Sequence, residues 1–125
     1  MALSTWEALT KGLDESDLAM LTAYRDACRT LDGVTEEVHS KQIQYKDARV
    51  FTSAYVKSHW LEIGVDLTEE VSHPLLRTVY PTSKRIFTHR FTLSKASEVR
   101  SVMKFIRRAR KEVGPGFRPV PKAKD

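Results

Sequence analysis

The side chains able to carry metal or covalent chemistry are His39, His59, His73 and His89, the lone Cys28, and the carboxylate pairs Glu36-Glu37 and Glu69-Glu70. Their spacing argues against each such use. No two histidines stand at HxxxH distance and no cysteine lies at ligand spacing, so no metal ligand set is expected. Adjacent glutamates point to opposite sides of a strand and spread apart on a helix, so neither pair forms a dyad alone. There is no GxSxG, and Cys28 falls on the apolar stripe of a helix, where a thiol packs as a small hydrophobe. The glycines are isolated apart from Gly114 and Gly116, which read as a helix stop and not as a phosphate cradle. No catalytic residue and no cofactor is assigned, and the chain reads as a non-enzymatic domain.

Charge offers more. The 125 residues carry 21 Lys and Arg against 16 Asp and Glu, net +5, but unevenly. Residues 1–37 balance at −5, residues 38–99 at +3 and residues 100–125 at +7. An acidic front and a basic end suit an anionic partner, or association with another copy. On a helical wheel at about 100° per residue, Arg100, Lys104, Arg107, Arg108 and Lys111 fall within an arc of roughly 100° opposite the apolar residues. Phosphate backbone is the anion such a stripe suits best, whether DNA or RNA.

These residues need elements to hold them. Ser4-Thr5-Trp6-Glu7 has the form of a capping box, with Ser4 as cap, opening a short helix or arm over residues 1–15. A second helix starts near Asp14 or Ser16, with Leu18, Leu21, Tyr24, Cys28 and Leu31 as its core stripe. The period then changes to two. Val38–Lys46, Val50–Lys57 and Trp60–Leu67 read as three strands of a meander, Leu75–Tyr80 as an extended piece within a loop, and Arg85–Leu93 as a fourth strand. Ser94 caps a long helix with the apolar stripe Val99, Val102, Met103, Ile106, Ala109 and Val113. Residues 115–125 read as an extended or disordered basic tail. The fold class is α+β: a two-layer sandwich over residues 16–114, with three to four antiparallel strands and both helices on one face.

Strand parity adds a second candidate surface. Two-residue turns at Lys57-Ser58 and Asp47-Ala48 would put Phe51, Tyr55 and Trp60 on the sheet face away from the helices, with Arg90 nearby. Aromatics beside a guanidinium can stack bases or grip a protein. One bulge would instead turn Phe51 inward. By parity His89 faces the apolar side, as a satisfied histidine rather than a ligand.

The run Lys41-Gln-Ile43-Gln-Tyr45-Lys46, Phe51, the alternation Leu61 to Leu67, and the closing Phe91-Thr-Leu93-Ser94 with Val99, Val102-Met103, Ile106-Arg107 and Ala109 resemble a bacterial domain family of unknown function. In layout the family is similar to small α+β proteins of the YdhG and YjbR type, and it also occurs fused to predicted nucleases. The resemblance covers roughly residues 17–113 and implies the fold more than an activity; it supplies no catalytic residues. Where relatives often carry a Trp-Gly-x-Gly-like segment, this chain has Tyr80-Pro81-Thr82-Ser83-Lys84-Arg85.

The expected function is therefore binding, with nucleic acid as ligand through the cationic helix, the basic tail and the outer-sheet aromatics. The alternative is a protein-interaction or self-associating (homodimeric) adaptor. No apolar run reaches the roughly 18 residues of a membrane span, and the first residues have no form of secretory signal. One cysteine suits a reducing compartment, so a cytoplasmic location is expected.

Overall fold

The computed structural model describes residues 3–116. Two helices, α1 (Trp6–Thr10) and α2 (Glu15–Cys28), precede six strands: β1 (Thr35–Val38), β2 (Ile43–Lys46), β3 (Val50–Lys57), β4 (Trp60–Leu67), β5 (Leu76–Ser83) and β6 (Ile86–Leu93). A 3-10 turn over Ala96–Glu98 leads into α3 (Val99–Glu112). The sheet is antiparallel throughout, in the order β1-β2-β3-β4-β6-β5.

Alternation in β4 organises the sheet. Leu61, Ile63, Val65 and Leu67 are fully buried, and their cross-strand partners Val56, Ala54 and Thr52 in β3 and Leu93, Phe91, His89 and Phe87 in β6 share their face. Onto this face pack α2, through Met20, Leu21, Tyr24 and Cys28, and α3, through Val99, Val102, Met103, Phe105, Ile106 and Ala109. The α+β layering with both helices on one face is as expected; the strand count is six, not three to four. Of the expected strand Val38–Lys46 only Ile43–Lys46 forms β2, and the chain before the turn at Ser40-Lys41 supplies a further strand, β1, while the piece at Leu75–Tyr80 falls in a full strand, β5, pairing with β6. The added strands are thus β1 and β5. Both lie at sheet edges, where half-exposed strands need little apolar content and leave a weak alternation to read.

The start of the chain also differs. Thr5, not Ser4, caps α1, accepting from the Ala8 N–H at 3.1 Å, while the Ser4 N–H donates to the Val38 carbonyl at 2.7 Å and ties the arm to β1. In α2 the cap is Asp14, its Oδ1 taking the Asp17 N–H at 2.8 Å. Leu18 is an exposed residue of that helix, and Met20 takes its place in the core. Before α3 the Ser94 hydroxyl does not act as the cap. Glu98 reaches back to accept from the Ser94 N–H at 2.8 Å and the Lys95 N–H at 3.2 Å. Residues 117–125, which hold most of the expected tail, lie outside the described residues.

Phe51 is the clearest correction. Tyr45 pairs with Thr52 but Lys46 pairs with Val50, so β3 carries one extra residue there, and the bulge turns Phe51 into the core with no exposed surface. Tyr55 and Trp60 do share the outer face. The turn falls on Ser58-His59 rather than Lys57-Ser58; moving a two-residue turn by one shifts the register by two and preserves parity. Phe51→Ala is expected to cost about 3–5 kcal/mol in chemical denaturation, as a cavity under the helices does. Trp60→Ala, on the open face, should cost less than half as much. Equal costs would mean that Trp60 is buried by something else in solution.

Candidate functional site

An exposed line of charge runs along α3. Burying Val102, Phe105, Ile106 and Ala109 forces the opposite side of the helix outward, and Arg100, Lys104, Arg107 and Lys111 follow at steps of four, three and four along it. All four are exposed, and among the described residues none is ion-paired with a carboxylate. Lys104 Nζ lies 5.1 Å over the Phe105 ring. The line of charge extends for about 16 Å along the helix axis.

Arg108, expected in the same stripe, is engaged elsewhere. Its Nε donates to Glu112 Oε2 at 2.9 Å and its Nη2 to Glu69 Oε2 at 2.9 Å, and these bonds, that to Glu112 foremost, raise its pKa. Glu112 also accepts from the Thr68 N–H at 3.1 Å and hydroxyl at 2.8 Å, clasping the end of α3 to the end of β4. Arg110 leans toward Asp47, 3.7 Å away.

On the other side of the sheet Tyr55, Trp60 and Arg90 come together, with two residues the sequence reading did not single out, Glu62 and Tyr80. Tyr55 donates to Glu62 Oε2 at 3.0 Å, and Arg90 Nη1 pairs with the same oxygen. The Arg90 Nε and Nη2 donate to the Tyr80 hydroxyl at 3.2 and 2.9 Å. The bonds to Glu62 and Tyr80 hold the guanidinium pKa well above its ordinary value. Burial works against ionisation of Glu62, but the hydrogen bonds from Arg90 and Tyr55 outweigh it and its carboxyl titrates below the usual range. Arg90 is thus a structural cation, its charge already matched. Parity alone places Glu62 beside Trp60 on this face; Tyr80 ends the expected extended piece Leu75–Tyr80, whose weak alternation assigns it no face. With the sheet between them, the α3 stripe and the outer aromatics face opposite sides of the molecule.

The remaining chemistry-bearing groups are accounted for individually. Burial pushes the Cys28 thiol up to about 12, which leaves it inert. His89 is fully buried between Phe87 and Val71: its Nε2 accepts from the Val71 N–H at 3.1 Å and its Nδ1 lies 2.9 Å from the Phe87 carbonyl. Glu36 and Glu37 part to opposite faces. Glu36 takes Arg25 through two bonds of 3.0 and 3.1 Å and the Tyr45 hydroxyl at 2.6 Å, while Glu37 meets Lys46 at 3.1 Å. Trp6 covers the same Arg25, whose guanidinium carbon lies 4.3 Å from the ring centre. His59 meets two carboxylates, with Nδ1 3.3 Å from Asp14 and 3.4 Å from Asp17.

This six-stranded domain, with its core and its basic helix, spans the region matched by one family model, at residues 7–110. The chain belongs to the DUF5655 family, a domain of unknown function. No curated protein and no solved structure matches it. In this DUF5655 domain the matched region takes in the α3 stripe as far as Arg107, together with the whole sheet and its open face.

Two carboxyl groups give the domain's stability opposite pH signs. For Glu36 burial opposes the charge, yet the bonds from Arg25 and Tyr45 prevail and lower its pKa. Its contribution is present above the unfolded value of about 4.3 and is lost as pH falls through the lower folded value. Asp66 is the reverse: burial raises its pKa despite the hydrogen bond from Thr88, so its ionisation on going toward neutrality opposes folding. Thermal unfolding followed from about pH 3 to 7 should show Glu36→Gln flattening the acid limb. Asp66→Asn should unfold at the same temperature or higher than the parent at neutral pH.

Proposed function

We propose that this DUF5655 domain is a binding module for the phosphate backbone of a nucleic acid, engaged by Arg100, Lys104, Arg107 and Lys111 of α3. The observation that carries the reading is the exposed line of four cations with no ion-paired carboxylate among the described residues. Like charges four apart on a helix repel by tenths of a kcal/mol each, a cost that a polyanion reverses. A duplex carries one charge per about 1.7 Å and so can meet all four cations along the stripe. Such contacts position a backbone without reading sequence. The family resemblance read from the sequence, to domains some of which are fused to predicted nucleases, points the same way.

Fluorescence anisotropy with labelled single-stranded DNA, duplex DNA and RNA at two salt concentrations tests this. Binding should weaken by about 0.7 to 0.9 log units per log unit of salt for each phosphate neutralised. The double variant R107E/K111E should lose about tenfold or more in affinity and flatten the salt slope by about two contacts. Trp60→Ala should bind like the parent, because Trp60 faces the other way. A chain ending at Gly116 keeps the stripe and should keep salt-dependent binding. Loss of all binding on that truncation would move the site to the tail.

A second reading rests on a different observation: among the described residues nothing packs on the sheet face that carries Tyr55, Trp60 and Tyr80. That face would serve a second copy or a protein partner. Light scattering would then show a mass that rises with concentration and reverts in Trp60→Glu.

A further inference from the structure

We propose that Asp14, Asp17 and His59 form a site for a divalent first-row transition cation, with Zn2+ as its type. The three side chains come from places distant in sequence, the N-terminus of α2 and the β3–β4 turn. One ligand atom from each lies within 4.8 Å of the others, the only such group among the described residues. The Asp17 side chain is 92% buried, its exposure being 8%, and its Oδ1 has no hydrogen-bond partner. A buried carboxylate oxygen left unsatisfied is costly, and such groups mark places where an ion or water completes the structure.

The distances favour an ion over a simple pair. His59 Nδ1 stands 3.3 Å from Asp14 Oδ2 and 3.4 Å from Asp17 Oδ2. Hydrogen bonds between ionised partners close to about 2.7–2.9 Å, and one ring nitrogen carries only one proton for two carboxylates. An edge of about 3.3 Å is what two ligands subtend at a tetrahedral cation bonded at about 2.0–2.1 Å. Asp14 divides its carboxylate between two tasks: Oδ1 caps α2 and Oδ2 faces His59. One imidazole with two carboxylates suits Zn2+ and its neighbours better than Mg2+ or Ca2+, which prefer oxygen alone. His59 and Asp14 are 79% and 51% exposed, so water has access to complete the shell.

The test is calorimetric titration of the full chain with ZnCl2 at about pH 7.5, with thermal unfolding measured in parallel. The expected result is saturable binding of one equivalent and an unfolding midpoint that rises with Zn2+. Asp17→Asn should weaken binding by about tenfold or more. His59→Gly should do the same while leaving the metal-free midpoint unchanged or higher, since glycine suits the φ of 74° that His59 holds in its turn. That variant separates a lost ligand from a lost fold. Co2+ in place of Zn2+ should give visible absorption bands that both variants remove. No saturable binding up to about 1 mM Zn2+, or undiminished affinity in both variants, would overturn the site. Neither variant touches α3, so this outcome is independent of nucleic-acid binding.

Discussion

Burial of the β4 row Leu61, Ile63, Val65 and Leu67 beneath α2 and α3 is the contact from which the other features follow. A strand can bury only alternate residues. Once these four face the helices, Trp60, Glu62, Gly64 and Asp66 must face the other way, and the neighbours β3 and β6 inherit the same division through their register. The helices are constrained in turn. For α3 to cover the row with Val102, Phe105, Ile106 and Ala109, its arginines and lysines have no place but solvent. One burial requirement thus produces both the cationic stripe and the open polar face, and puts them on opposite sides of the molecule.

Polar groups close the edges that apolar packing leaves open. Tyr24 reaches from α2 to the Thr52 hydroxyl at 3.1 Å, and Thr52 donates to the Gly64 carbonyl at 2.7 Å, a chain linking α2 to the two central strands. Beside it, Trp6, Arg25, Glu36 and Tyr45 join α1, α2, β1 and β2. Tyr24 and Tyr45 meet edge to face at 5.7 Å between centroids, so the two networks share an aromatic contact. The short edge strand β1 buries little apolar area of its own, and this network compensates. At the far end Arg108, Glu112, Glu69 and Thr68 do the same for α3, which is why an arginine that looked free in projection is not.

Legibility in the sequence tracked how much of an element's burial was one-sided. The central strands and both long helices have strong periods and were readable, as were the burial of Cys28 and the inward direction of His89. The edge strands β1 and β5 have mixed exposure, and their signal sank below that of a loop. Phe51 depended on one inserted residue, and no propensity distinguishes a bulge from a regular pairing there. For the α3 stripe, the wheel puts five cations in one arc, and four of them are exposed; it has no knowledge of Glu69, which comes from the segment after β4 and engages Arg108. The meeting of Asp14, Asp17 and His59 is illegible for the same reason: the three have no spacing to recognise until the hairpin turn folds against the start of α2.

Layering, the polarity of charge along the chain, the helix with its outward cations and the lack of a recognisable catalytic motif are all legible in the order of residues. These depend on local periodicity and composition, which survive without knowledge of partners. Which charges are already neutralised, which aromatics are exposed and which carboxylates meet a histidine emerge from the folded arrangement alone. Those are contacts between residues tens of positions apart, and their geometry depends on register, bulges and turn placement, where a shift of one residue moves a side chain from one face of the sheet to the other.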